Sequence, residues 1–125
     1  MKQAQHKPED LLPLSPAVFH ILLALADSER HGYGIMQEIF QKTDGMVRMG
    51  PGTLYGSIKR MLADGLIQET DERPDPTMDD ERRRYYRLTD FGQRVMQAEA
   101  QRLAQIVRIA QRKHVLGGPE LAGGA

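Results

Sequence analysis

Gly50-Pro51-Gly52-Thr53-Leu54-Tyr55-Gly56-Ser57-Ile58-Lys59-Arg60-Met61-Leu62-Ala63-Asp64-Gly65 is the stretch on which the fold turns. Proline just inside the start and glycine just past the end mark a helix. At about 100° per residue, Leu54, Ile58, Met61 and Leu62 share one side, while Gly52, Thr53, Gly56, Lys59, Arg60 and Ala63 share the other. A glycine inside a helix costs about 1 kcal/mol relative to alanine. Gly52 escapes most of that in the first turn, but Gly56 does not, so its compensation is sought in close approach of the backbone to a partner. Lys59 and Arg60 can reach phosphates or base edges, and Thr53 and Ser57 can donate to phosphate near the helix start. Tyr55 lies on the boundary between the two faces. Alone, a dibasic helix face is ordinary solvated surface.

The flanking sequence changes that balance. Downstream, Leu66 to Thr70 and Arg82 to Leu88 read as strands, and Asp71 to Glu81, with Pro74 and Pro76, as an irregular tip between them. Alternation puts Tyr86 and Leu88 on one face of the second strand and Arg83, Tyr85 and Arg87 on the other. Upstream, Ser15-Pro16 opens a helix that is apolar nearly all round from Ala17 to Ala26, interrupted only by His20. Asp27 to Gly32 is a polar break. Tyr33 to Lys42 carries Ile35, Met36, Ile39 and Phe40 on one stripe and stops at Thr43-Asp44-Gly45. Met46 to Met49 reads as a short strand-like connection. Thr89 caps a last helix from Asp90 to about Lys113, which Gly117-Gly118-Pro119 ends.

The order is helix, helix, helix, hairpin, long helix. That is a mainly α fold with a small β-hairpin: a winged helix-turn-helix, whose third helix faces the DNA major groove, plus a C-terminal dimerisation helix. Residues 1–10 are expected to be flexible, 11–89 to form the winged domain, 90–115 the dimerisation helix and 116–125 a disordered tail.

A chain of 125 residues with 17 Lys+Arg and 17 Asp+Glu fits one domain of zero formal charge. No apolar run approaches the ~20 residues of a membrane span, and the polar start is neither signal nor transit peptide, so a cytoplasmic protein is expected. Zero cysteines exclude disulfides and thiolate chemistry. The zero total hides polarity. Residues 46 to 63 hold Arg48, Lys59 and Arg60 and no acid, and residues 82 to 88 hold four Arg and no acid. Glu69 to Glu81 contains Glu69, Asp71, Glu72, Asp75, Asp79, Asp80 and Glu81 against Arg73 alone. A near-neutral chain should bind nucleic acid more weakly, and with more dependence on sequence, than a basic one.

In the last helix Met96, Ala100, Leu103, Val107 and Ala110 recur at heptad spacing, with His114 at the next core position. A second strip of Phe91, Val95 and Ala98 is placed to pack back on the winged domain. At about 24 residues and roughly 36 Å the helix outruns its own domain. A homodimer is expected through this seam together with Phe19, Leu22 and Leu23 of the first helix, its reading helices roughly 34–36 Å apart on DNA.

Leu14-Ser15-Pro16, His31-Gly32-Tyr33-Gly34-Ile35, Gly52-Thr53-Leu54-Tyr55 through Leu62, Gly65-Leu66-Ile67 and Tyr85-Tyr86-Arg87-Leu88-Thr89-Asp90-Phe91-Gly92 closely resemble the PadR family of transcriptional regulators, from about Leu12 into the final helix. The resemblance implies a dimeric winged-helix repressor that binds a palindromic operator in double-stranded DNA and is released by a small hydrophobic or aromatic effector. It also implies that Leu54 packs inward while Thr53 and Tyr55 lie near the DNA backbone. The short C-terminal helix is similar to that of the subfamily with the smaller C-terminal region. The acidic tip departs from the family pattern and leaves Arg83 and Arg87 as the better phosphate contacts.

No cofactor, metal or catalytic chemistry is expected. His20, His31 and His114 lack metal-ligand spacing, Gly50-Pro51-Gly52 lacks the phosphate-loop lysine, and His31-Gly32-Tyr33-Gly34 lacks the third glycine of a dinucleotide fingerprint. The competing reading is a winged-helix protein–protein adaptor that offers the acidic tip to a basic partner.

Overall fold

Three side chains start the principal helices. Ser15 Oγ accepts from Val18 N at 3.2 Å and opens α1 (Pro16–Ala24). His31 Nδ1 accepts from Gly34 N at 3.0 Å and opens α2 (Gly32–Lys42). Thr89 Oγ1 accepts from Gly92 N at 2.9 Å and opens α4 (Asp90–Arg112). The remaining helix, α3 (Pro51–Ala63), starts on proline. The computed structural model describes residues 7–74 and 82–117, apart from the side chains of residues 74 and 82.

Three helices stop in the same way. Asp44, Gly65 and His114 adopt φ of 52°, 76° and 60°. The amide after each returns to the carbonyl five residues back: Gly45 N to Phe40 O at 2.8 Å, Leu66 N to Met61 O at 2.9 Å and Val115 N to Ala110 O at 2.9 Å. These bonds satisfy carbonyls that a helix end leaves open. His114 is therefore the stop of α4 rather than its next seam position, three residues before Gly117; Gly118 and Pro119 lie outside the described residues. A non-glycine residue in a left-handed cap carries no signal that spacing could reveal.

The sheet has three strands in the order β1-β3-β2, all antiparallel: β1 (Arg30–His31), β2 (Ile67–Pro74) and β3 (Arg82–Leu88). The expected hairpin is present, with Ile67 opposite Leu88. The third strand lies inside the stretch read as a polar break, because two residues are too few to show alternation. The first hairpin strand runs four residues beyond Thr70. A register shift between Glu69 and Glu72 lets the ladder resume with Glu72 opposite Arg84 and Arg73 opposite Arg83. Pro74 closes that edge strand, where a missing N–H is tolerated. The acidic-tip positions Asp75, Asp79, Asp80 and Glu81 lie outside the described residues. Met46 to Met49 forms no strand; Arg48 stacks over Phe40, 4.9 Å from its ring centroid.

The core draws Ile21 and Leu22 from α1, Ile35 and Ile39 from α2, Leu54, Ile58 and Met61 from α3, Ile67 and Tyr86 from the sheet, and Val95 from α4. Leu62, expected inside, sits at the margin and is partly exposed. Because α2, α3 and α4 all pack on α1, its greasy circumference is largely covered within one chain. Leu22 is wholly buried there, which removes it from the dimerisation set; Leu23 stays exposed and Phe19 half-buried.

α4 is fastened at both ends of its inner face. Thr89 donates from N to Leu66 O at 3.1 Å and from Oγ1 to Gly65 O at 2.5 Å. A Cβ on Gly92 would collide with the Leu66 carbonyl oxygen, so only glycine permits this approach. Val95 is buried while Phe91 and Ala98 are half-buried, as their spacing predicts. One turn further along, Glu99 is 2% exposed, an acid in a position that spacing marks as apolar. Its carboxylate accepts from Leu14 N at 3.0 Å and from Arg102 Nε at 2.6 Å and Nη2 at 3.0 Å. The segment before α1 forms a 3₁₀ turn at Pro8–Leu11 that lies against α4, so residues 8–10 of the expected flexible lead have regular structure although Glu9 and Asp10 are exposed. Among the described residues no helix is long and apolar enough to cross a membrane.

Candidate nucleic-acid interface

The outer face of α3 is as bare as its sequence suggests. Thr53, Tyr55, Gly56, Lys59 and Arg60 are exposed and Ser57 half-buried, while Leu54 is fully buried beneath them. A Cβ placed on Gly52 or Gly56 would meet no atom within 4 Å. The chain itself does not need glycine there.

The two margins of that face meet different partners. Tyr55 and Arg60, five residues apart, point about 140° from one another around the helix. Tyr55, 46% exposed, leans towards α2: its hydroxyl occupies the space that a Cβ on Gly32 would take. Arg60 lies on the other margin, beside Pro13, Ser15 and Asp64. Lys59 stands between them.

β3 joins the Tyr55 margin. A hollow of about 260 Å³ is lined by His31, Gly32, Tyr55, Glu72, Arg83, Arg84 and Tyr86. The structure therefore brings Arg83 and Tyr55, read separately from the sequence, to one place. The Arg83 guanidinium carbon lies 5.8 Å from the ring centroid of Tyr33, which is outside the set of DNA contacts expected from the sequence. Arg87, opposite Gln68, is exposed about 13 Å further along the strand.

Tyr85, placed by alternation among the solvent-facing arginines, is buried instead. Arg73 covers its ring at 3.7 Å, and His31 meets it edge-on with centroids 5.2 Å apart. Both contacts need β1 and the extension of β2, the two features that the sequence hid. Glu29 holds Arg73 in place at 2.7 Å and raises its pKa. Tyr86 is buried beneath the sheet; burial, then the charge of Glu69, pushes its phenol above its usual range.

These pairings divide the cations. Arg73 is tied to Glu29 and Asp71, Arg84 to Glu69 at 3.3 Å, Arg30 to Asp27 and Glu38, and Arg102 to Glu99. Among the described residues Lys59, Arg60 and Arg87 enter no ion pair. Their charges remain for an anion outside the chain. Among the described residues no group of three or more His, Cys, Asp or Glu is arranged to hold a metal.

The expected dimerisation residues divide by depth. Met96, Leu103 and Ala110 are half-buried, while Ala100 and Val107 are exposed. Ile106 and Ile109, beside the seam, are exposed as well.

Residues 21–98 match the model of the transcriptional regulator PadR-like family. The transcriptional regulator Rv3488 of Mycobacterium tuberculosis is 34% identical over 105 residues, which cover 84% of this chain and 87% of that protein. A PadR family transcription regulator from Clostridium difficile R20291 superposes with a TM-score of 0.65 at 22% identity, covering 78% of this chain and 97% of the other. Bacillus subtilis PadR, solved in complex with operator DNA, superposes with a TM-score of 0.56 at 20% identity, covering 65% of this chain and 45% of that one. At these identities the two superpositions speak to the winged-helix fold.

Proposed function

Because the chain belongs to the PadR-like family of transcriptional regulators, which are not enzymes, we propose that it is a dimeric repressor that binds a palindromic operator in double-stranded DNA. Residues 11–89 read the DNA and residues 90–115 pair the subunits. The single observation that carries this reading is the uncovered outer face of α3, with two glycines that no contact of the chain explains. Thr53, Tyr55, Gly56 and Ser57 approach the groove, Lys59 and Arg60 contact phosphates or base edges, and Arg83 and Arg87 contact phosphates beside it. The operator DNA held by Bacillus subtilis PadR supports the choice of partner.

Pairing uses Leu23 and Phe19 of α1 and the Met96, Ala100, Leu103, Val107 and Ala110 seam of α4. The exposed Val107, Ile106 and Ile109 support it, since an apolar strip along a protruding helix gains by being covered. Alanines at positions 100 and 110 leave room between paired helices for a small hydrophobic or aromatic effector.

The test is binding to DNA from upstream of the chain's own gene, followed by fluorescence anisotropy over a salt series. Four phosphate-contacting cations in each of two subunits predict a slope of log K on log salt of about −7. Arg83→Ala should weaken binding and flatten the slope by about 0.9 per lost contact. A salt-independent wild type, or an Arg83→Ala slope equal to wild type, would contradict the assignment.

A further inference from the structure

We propose that Tyr33, in the first turn of α2, is a further DNA contact: its hydroxyl binds a backbone phosphate, and its ring positions Arg83 for a neighbouring one. The inference rests on the DNA-binding reading above and extends that interface to a third element.

Two contacts, one peptide bond and one shared hollow link the residues around this spot. The Tyr55 hydroxyl fills the space beside Gly32. Gly32 is bonded to Tyr33. The Arg83 guanidinium sits over the Tyr33 ring, 5.8 Å from its centroid. Arg83 and Tyr55 line one hollow. Tyr33 thus stands beside the hollow that Tyr55 and Arg83 share, within reach of a duplex seated on both.

The exposure of Tyr33 points the same way. Its neighbours Gly32 and Ile35 are buried, and the apolar stripe of α2 already serves the core, yet Tyr33 is 44% exposed. A tyrosine kept for packing would bury its ring and satisfy its hydroxyl inside. Here the ring lies within the distance at which its negative face attracts a guanidinium. Held by that face, Arg83 loses less rotational freedom on meeting a phosphate. Phosphate is the ligand chemistry that suits both a phenol donor and a cation at one point on a duplex.

The two roles separate in one experiment on the full-length protein, with the anisotropy salt series run on wild type, Tyr33→Phe, Tyr33→Ala and Arg83→Ala. Tyr33→Phe keeps the ring and removes the donor, so affinity should fall about tenfold at every salt concentration with the slope unchanged. Tyr33→Ala should fall further and lose about 0.9 of the slope per affected contact, because Arg83 is no longer aimed. Thermal melts of both variants should overlay wild type, as expected for an exposed side chain. Phe and Ala variants that bind like wild type while Arg83→Ala is weakened would overturn the proposal and leave the DNA-binding reading standing. Equal slopes for Tyr33→Ala and wild type would overturn the positioning role alone. A wild type without salt-dependent DNA binding would overturn both.

Discussion

Gly56→Ala separates what α3 needs for folding from what it needs for binding. Gly56 is six residues into a thirteen-residue helix, and a Cβ there would meet no atom within 4 Å. Alanine should therefore stabilise the protein by about 0.5–1 kcal/mol, the ordinary gain from removing backbone freedom in a helix interior. In a chain of this size that is roughly 2–4 °C in melting temperature. If the α3 backbone lies close against a DNA groove, the same methyl intrudes on the contact. An overpacked contact costs about 1–3 kcal/mol, so operator affinity should drop roughly tenfold. No charge is altered, so the salt slope should not move. Gly52→Ala supplies an internal comparison: it is equally open but lies in the first turn, so it should gain little stability. Thermal melting and anisotropy on the same preparations decide the matter. A lower melting temperature would mean that the site is not open. A higher melting temperature with undiminished affinity would mean that this face of α3 does not meet DNA.

Further outcomes follow from the fastenings of α4. The hydrogen bonds from Arg102, opposed by burial and aided by Leu14 N, hold the Glu99 carboxyl below its usual range. A depressed acid stabilises the fold above its unfolded pKa, about 4.3, and loses that contribution as pH falls through the lower folded value. Glu99→Gln should thus be about 1–2 kcal/mol less stable at pH 7 by urea denaturation, and the gap should narrow below about pH 4; a gap constant with pH would contradict this. Gly92→Ala forces a Cβ against the Leu66 carbonyl and should cost about 2–3 kcal/mol, read as a lower urea midpoint. Val107→Asp should yield a folded monomer in sedimentation. Leu22→Ala should instead lower stability by about 2–5 kcal/mol without changing the stoichiometry of the folded protein.

Sequence legibility followed the length of each pattern. α2, α3 and α4 showed their faces because each repeats an apolar stripe over several turns, and the inward Leu54, Ile58, Met61 and Val95 follow from spacing alone. α1 misled for the opposite reason. A helix apolar on every side has no preferred face, so Leu22 could be assigned to a partner copy although its own chain, whose α2, α3 and α4 pack on α1, buries it completely. β1 is two residues long, below any period, and its absence from the sequence reading carried the error over Tyr85, whose cover comes from β1 and from the β2 extension. Glu99 broke the pattern because its partners are a backbone amide 85 residues away and an arginine one turn on. Pattern reading prices a buried acid without seeing such partners. For the candidate interface, residue types on α3 and β3 were legible, but their meeting at Tyr55 and Arg83 was not, nor was Tyr33 between them.

The charge balance links these observations. Composition alone gives a neutral chain and argues for weak attraction to a polyanion. Yet six of the described acids are paired locally: Glu69 with Arg84, Glu29 and Asp71 with Arg73, Asp27 and Glu38 with Arg30, and Glu99 with Arg102. These pairs hold the sheet edge, the α1–α2 connection and the N-terminal segment in place. Apart from Glu99–Arg102, whose acid is buried, these pairs are at least partly exposed and add little stability, about 0–1 kcal/mol each. Their larger effect is on distribution, since an arginine bound to a neighbouring acid cannot also meet a phosphate. Lys59, Arg60 and Arg87 are among the described cations that enter no ion pair, and they lie on elements that carry no acid of their own between residues 46 and 63 or 82 and 88. On the proposed DNA-binding reading, affinity for the wrong DNA should stay low, while the cations on α3 and β3 should act where the groove also admits the bare backbone at Gly56. On that reading, discrimination between sequences should rest on shape and contact at that helix rather than on attraction to any duplex.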